Sequence, residues 1–153
     1  MNITKRIAKQ IIECFRRGNK VLICGNGGSA AMAQHMAAEF VGHLKTGRRA
    51  LPAISLTTDT SILTATGNDY SFDIVFSRQV EALGKPGDIL IGITTSGKSK
   101  NVLRAIEKGK EIGLITLLLP PQGKNTARIQ EKHLRLIHDV CQIVENTFIE
   151  EIE

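Results

Sequence analysis

His35 and Glu39 stand four residues apart in CGNGGSAAMAQHMAAEF, a stretch that reads as a glycine turn running into a helix. That spacing puts an imidazole and a carboxylate on one helix face. Near the other end, TARIQEKHLRLIHDV carries Gln130, His133 and His138. Gln130 and His138 lie two turns apart on neighbouring stripes of one helix. A Glu and a His on different helices can divide proton removal and proton delivery between them. His35, Glu39, Gln130 and His138 together could also hold a divalent metal such as zinc. Taken singly, each histidine is an ordinary helix residue. It is the pairing of His35 with Glu39, directly after a polar glycine loop, that singles the group out. His133 has charged and polar neighbours and is expected to face solvent.

A second set of residues could hold an anion. GITTSGKSKN carries Thr94, Thr95, Ser96 and Ser99, and Ser29 opens the helix after CGNGG, placed to cap it. Gly92 to Ser99 fits the nucleotide-hydrolase phosphate loop, with a strand-like run before it and a helical pattern after it. That chemistry also needs an acidic residue at the end of an apolar strand to support magnesium. Asp139 is the candidate, and it lies inside a helical pattern. Gly25, Gly27 and Ala30 fit a dinucleotide fingerprint, but no acidic residue closes the second strand about 20 positions on. What remains is a phosphate monoester, held by hydroxyls and backbone N–H groups at helix N-termini. A sugar phosphate needs this pairing: donors for the phosphate, and separate acid and base groups for the carbon end.

The elements that must position these groups alternate along the chain. A helix over about 3–17, with Ile3, Ile7, Ile11 or Ile12 and Phe15 at helical spacing, leads to strand 20–24 and a helix through Phe40. LPAISLT (51–57) is strand-like, DTSILTATGN is a helix start or ordered loop, and SFDIVFSRQVEAL (71–83) reads as one helix. Strand 88–93, a helix to about Ile112 and strand 114–119 follow. PPQGKN turns into a long amphipathic helix over 126–152. Alternation of this kind, with continuously apolar strands, predicts an α/β fold: a three-layer αβα sandwich around a mostly parallel sheet. Ligands in such folds bind at the C-terminal ends of strands, where both polar loops fall.

The 153 residues and net charge of +5 fit one domain (1–153) with mild positive balance. With no Trp and one Tyr, stacking platforms for nucleic acid are few, so no nucleic-acid partner is expected. Cys14, Cys24 and Cys141 have no metal or disulfide spacing and fit a reducing compartment. The start lacks a signal-peptide pattern and no apolar run approaches about 20 residues. The expectation is a cytoplasmic protein with no membrane partner.

CGNGGSAAMAQHMAAEFVG, the stretch from LPAISLTT through KEIG, and TARIQEKHLRLIHDVCQIVE resemble the bacterial phosphoheptose isomerases of the sugar isomerase (SIS) domain superfamily. The resemblance covers nearly the whole chain from about Gly18. It implies a flavodoxin-like SIS fold and an aldose–ketose isomerisation through an enediol(ate). The substrate implied is sedoheptulose 7-phosphate, the product D-glycero-D-manno-heptose 7-phosphate, used for lipopolysaccharide or other surface glycans. By position it implies Glu39 as base and His138 as acid/base histidine. Where members bind zinc, the ligands correspond to His35, Glu39, Gln130 and His138. The phosphate and substrate positions correspond to Asn26, Gly27, Gly28, Ser29, Asp69, Thr94, Thr95, Ser96, Ser99 and Gln130. It further implies a homotetramer, with the first and last helices (1–17 and 126–152) at the interface.

Three departures stand out. Lys98 replaces a usual Asn, which makes the nucleotide-loop match accidental. Met32 and His43 replace residues that are often Asp and Arg. Only PPQGKN stands where the family has a further glycine-rich segment and a fifth strand. A non-catalytic branch of the superfamily serves as a scaffold for the replication initiator, and other members sense sugar phosphates. Retention of Glu39 and His138 favours the enzyme.

Overall fold

The computed structural model describes residues 1–151. Helix α1 (Ile3–Arg16) starts where the Asn2 side chain accepts from the N–H of Lys5, and it buries Ile7, Ala8, Ile11, Ile12 and Phe15. Strand β1 (Val21–Gly25) and helix α2 (Gly28–Val41) follow. The expected strand over 51–57 pairs over β2 (Ala53–Ser55) alone. Leu51 and Leu56 flank it as buried anchors. DTSILTATGN is helix α3 (Thr60–Asp69), capped by Asp59, which accepts from the N–H of Ile62. The single helix expected over 71–83 is divided. A 3-10 turn (Phe72–Ile74), with Ser71 accepting from the N–H of Asp73, precedes helix α4 (Ser77–Leu83). Then come β3 (Ile89–Ile93), α5 (Lys100–Glu111), β4 (Ile115–Leu118) and α6 (Thr126–Glu150). The last helix was expected to reach 152, a position outside the described residues.

The four strands are parallel, in the order β2-β1-β3-β4. This is the flavodoxin-type order, and its switch point lies between β1 and β3. Both of these central strands are buried along their whole length. Alternate residues serve opposite faces. Val21, Ile23, Ile89, Ile91 and Ile93 pack with α1, α2 and α6. On the opposite face Leu22, Cys24 and Leu90 pack with Leu56, Val75, Phe76 and Val80 and with Val102 and Ala105 of α5. The expected three-layer sandwich is the observed one.

At the bottom of the sheet Asp88 ties β3 to β1. It accepts from Lys20 Nζ at 2.6 Å, Asn19 Nδ2 at 2.8 Å, and the N–H groups of Lys20 and Lys85. On the other side of the sheet β4 is the edge strand, and no fifth strand covers it among the described residues. The N–H of Leu119 still donates to Gly92, and the chain then crosses Pro120–Asn125 straight into α6. His133 fastens that short connection: its Nε2 lies 2.9 Å from the Pro120 carbonyl oxygen. The side chain is buried, not solvent-facing as its polar neighbours in sequence implied. Those neighbours point outward because α6 turns only one stripe toward the sheet.

Candidate active site

Gly25 of β1 is in register with Ile93 of β3, so the loops leaving these strands lie side by side at the switch point. Each feeds a helix N-terminus, α2 after the first loop and α5 after the second. The helix N-termini and their dipoles therefore converge at the C-terminal end of the two central strands, as an anion requires. Gly27 takes φ +56° and acts as N-cap of α2 without a side-chain cap bond. The capping role expected of Ser29 is thus not observed. Ser29 lies inside the first turn, buried, with its own N–H donated to the Asn26 carbonyl.

In the second loop the Thr94 hydroxyl lies 2.8 Å from that of Ser99 and 3.3 Å from that of Ser96. Ser96 Oγ also accepts from the N–H of Lys98. Ser99 is N-cap of α5 with no side-chain cap bond, which leaves its hydroxyl to this cluster. Thr95 is half-buried beside it. The two loops are joined by Asn26 and Asn101, whose side-chain amides exchange hydrogen bonds of 2.7 and 2.8 Å. Asn101 is buried and escaped the sequence reading. Its signal was a polar residue on the apolar stripe that includes Val102 and Ala105.

About two and three turns along α2, His35 and Glu39 meet His138 of α6. The Nε2 atoms of the two histidines are 2.9 Å apart, with ring centroids 5.0 Å apart. A carboxylate oxygen of Glu39 completes a set whose donor atoms all lie within 4.8 Å of one another. One His N–H must face one bare nitrogen at that distance. Converging imidazole and carboxylate donors of this kind suit zinc. Gln130 is brought to the start of α2. A Cβ added at Gly28 would stand 2.2 Å from Gln130 Nε2, so the amide rests on the glycine.

Other residues fall apart from this group. Asp69 is exposed at the end of α3, where its carboxylate accepts from Asn68. Asp139 forms an exposed ion pair with Arg135, at 3.9 Å, and takes no place at a strand end. His43 is exposed, and Met32 packs against the core. A hollow of about 140 Å³ opens beside the first loop, lined among others by Asn26, Gly27, Thr57 and Phe72. A larger apolar hollow of about 480 Å³ between α3 and α4 holds none of the acid–base residues and none of the hydroxyls of the two loops.

A family model described as the SIS domain matches residues 2–119. Phosphoheptose isomerase 1 of Campylobacter jejuni is 52% identical, covering 94% of this chain and 86% of that protein. Phosphoheptose isomerase of Roseiflexus sp. is 53% identical, covering 95% and 82%. A solved phosphoheptose isomerase from Neisseria gonorrhoeae superposes with a TM-score of 0.87 at 44% identity, over 94% of this chain and 85% of that one. The Campylobacter match runs over 159 positions yet draws on 94% of these 153 residues, about 144, so about 15 of its positions have no counterpart here. That shortfall accords with the short connection after β4. With its SIS fold and close relatives on both counts, the chain belongs to the phosphoheptose isomerase family of SIS domain proteins.

Proposed function

We propose that this protein interconverts sedoheptulose 7-phosphate and D-glycero-D-manno-heptose 7-phosphate through an enediol(ate), supplying heptose for surface glycans. The observation that carries the reading is the meeting of His35, Glu39 and His138 beside a hydroxyl-lined pair of helix N-termini. Isomerisation moves one hydrogen between adjacent carbons. Glu39 takes the proton from one carbon and returns it to its neighbour, and His138 moves the proton between the two oxygens. The phosphate rests on Ser29, Thr94, Thr95, Ser96, Ser99 and the N–H groups of Gly27 and Gly28, with Asn26 holding the two loops together. Its binding energy positions the reacting end. Asp69, exposed at the end of α3, is assigned to the substrate by its position in the family pattern.

His35, Glu39, Gln130 and His138 are the residues that would hold zinc, a set whose three converging donors fit that metal. Bound there, zinc would polarise the substrate carbonyl. The protein acts as one SIS domain per subunit of a homotetramer in the cytoplasm. Among the described residues no helix is long and apolar enough to cross a membrane.

The test is proton NMR of the protein with sedoheptulose 7-phosphate in D2O, with zinc supplied. Aldoheptose signals should appear, with deuterium at the reacting carbon. Glu39→Gln and His138→Ala should each lower the rate by about 10²–10⁴-fold. An unchanged spectrum from folded protein would instead favour a scaffold or sugar-phosphate sensor.

A further inference from the structure

Helix α2 carries two of the three converging groups and ends at Val41, two residues past Glu39. The last carbonyls of a helix have no partner within it. Here Arg48 supplies one. Its Nη2 donates to the Glu39 carbonyl at 2.6 Å, and its Nη1 donates to the carbonyls of Phe40 at 2.9 Å, Gly42 at 2.7 Å and Arg49 at 3.1 Å. The side chain is 1% exposed, and Glu145 of α6, 0% exposed, faces it at 3.5 Å. That carboxylate accepts from the N–H groups of Leu44 at 2.8 Å, Lys45 at 2.9 Å and Thr46 at 3.2 Å. The segment after α2 is thereby stitched to the helix end on one side and to α6 on the other. Glu145 stands seven residues beyond His138, two turns along nearly the same stripe of α6.

We propose that Arg48 and Glu145 are positioning residues, a buried clamp that fixes the end of α2 to α6 and so holds Glu39 against His138. The clamp rests on the acid–base roles given above to Glu39 and His138. A buried ion pair adds little stability over well-packed apolar residues, so its presence points to geometry. The atom it grips is the backbone carbonyl of Glu39 itself. His35 sits one turn earlier, inside the helix ladder, and the phosphate loops lie at the opposite end of α2. Loosening the clamp therefore displaces the base and leaves phosphate binding alone, and a displacement near 1 Å can cost about 10²-fold in rate.

Three variants test this. Arg48→Lys keeps the charge but loses the planar fork that reaches several carbonyls. Glu145→Gln turns an NH2 toward backbone N–H groups. Arg48→Met/Glu145→Gln removes both charges together and so avoids a lone buried charge that could unfold the chain. Each is measured for kcat and KM with sedoheptulose 7-phosphate, for folded fraction by thermal melting, and for amide hydrogen exchange along residues 38–48. The expected result is a kcat lowered by about 10²-fold with KM unchanged. Exchange should quicken at residues 39–46 and stay slow in β1 and β3. A folded double variant with the parent kcat would overturn the proposal. So would a raised KM at constant kcat, or activity that falls only with the folded fraction. If the parent protein does not isomerise the sugar, the functional reading fails, and exchange alone decides: unaltered exchange at 39–46 sinks the clamp.

Discussion

Gly28 is a residue whose type matters more than its helix propensity. Alanine is favoured over glycine by about 1 kcal/mol in a helix interior, and at Gly28, the first residue of α2, it would gain only part of that. Yet its Cβ would fall on the Gln130 amide, 2.2 Å from Nε2. The obstacle is the far end of a flexible side chain, so the fold survives and the amide moves. Gly28→Ala is expected to keep its melting temperature and to lose about tenfold in kcat/KM, or about 1.4 kcal/mol of transition-state binding. Steady-state kinetics beside a thermal melt checks both halves. Asn101 gives the converse case. Asn101→Ala strips the Asn26 amide of both bonds it makes to its partner. The Asn26 amide is half-buried beside a hollow, so its lost partner should cost about 1 kcal/mol, the lower end for an unsatisfied group, to be read from urea unfolding. With the two loops untied, KM for the sugar phosphate should rise.

Between elements, two buried carboxylates act as ties. Burial works to raise the Asp88 carboxyl, but hydrogen bonds from Lys20, Asn19 and the Lys85 N–H outweigh it and hold it below its ordinary value. Glu145 follows the same pattern. Burial raises it, and the N–H groups of Leu44, Lys45 and Thr46, with Arg48, bring it lower. A carboxyl whose folded-state pKa lies below its unfolded value stabilises the fold above the unfolded value. That stability is lost as pH falls through the folded one. Unfolding free energy should thus hold level above the ordinary carboxylate range, near pH 4, and decline below it. Asp88→Asn and Glu145→Gln should each flatten that acid decline in denaturant titrations across pH.

On the scale of the whole molecule, the sheet divides two apolar layers and shuts all three thiols inside them. Burial pushes Cys14 up to about 11 and Cys24 up to about 12, and it raises Cys141 as well. The thiolate is the reactive form. A thiol reagent at pH 8 should therefore label none of the three in native protein and all three in denaturant, as counted by mass spectrometry. The helices α1 and α6 spend their apolar faces on each other and on the sheet. Large exposed apolar side chains lie elsewhere, with Ile62, Tyr70, Phe72 and Leu83 running from α3 to α4. Light scattering coupled to size exclusion should return the mass of a tetramer. Ile62→Glu/Leu83→Glu, which adds charge to that face, then tells whether it is part of the assembly.

Much of this protein is determined locally, and that part is legible in the sequence. Apolar runs of five residues, buried on both faces, and amphipathic stretches between them dictate a parallel α/β sheet. The i, i+4 spacing of His35 and Glu39 on α2 is likewise a property of one helix. The pattern was weaker where tertiary pairing overrides it. Strand β2 is only three residues long because its register with β1 covers Ala53–Ser55, with Pro52 and Leu56 each adding one flanking bond, and residues 71–83 divide between a 3-10 turn capped by Ser71 and helix α4. His133 looked exposed until the short connection after β4 placed the Pro120 carbonyl over it. Asn101 shows only that it is a polar residue on an apolar stripe, not what it binds, and Arg48 and Glu145 carry no local signal of their roles. Each becomes a partner only when segments 75, 9 and 100 positions apart, respectively, are brought into contact. The approach of His35 to His138, across 103 positions, is of the same kind. Sequence spacing fixes which groups share a helix, and tertiary packing alone decides which helices bring their groups within reach of one proton.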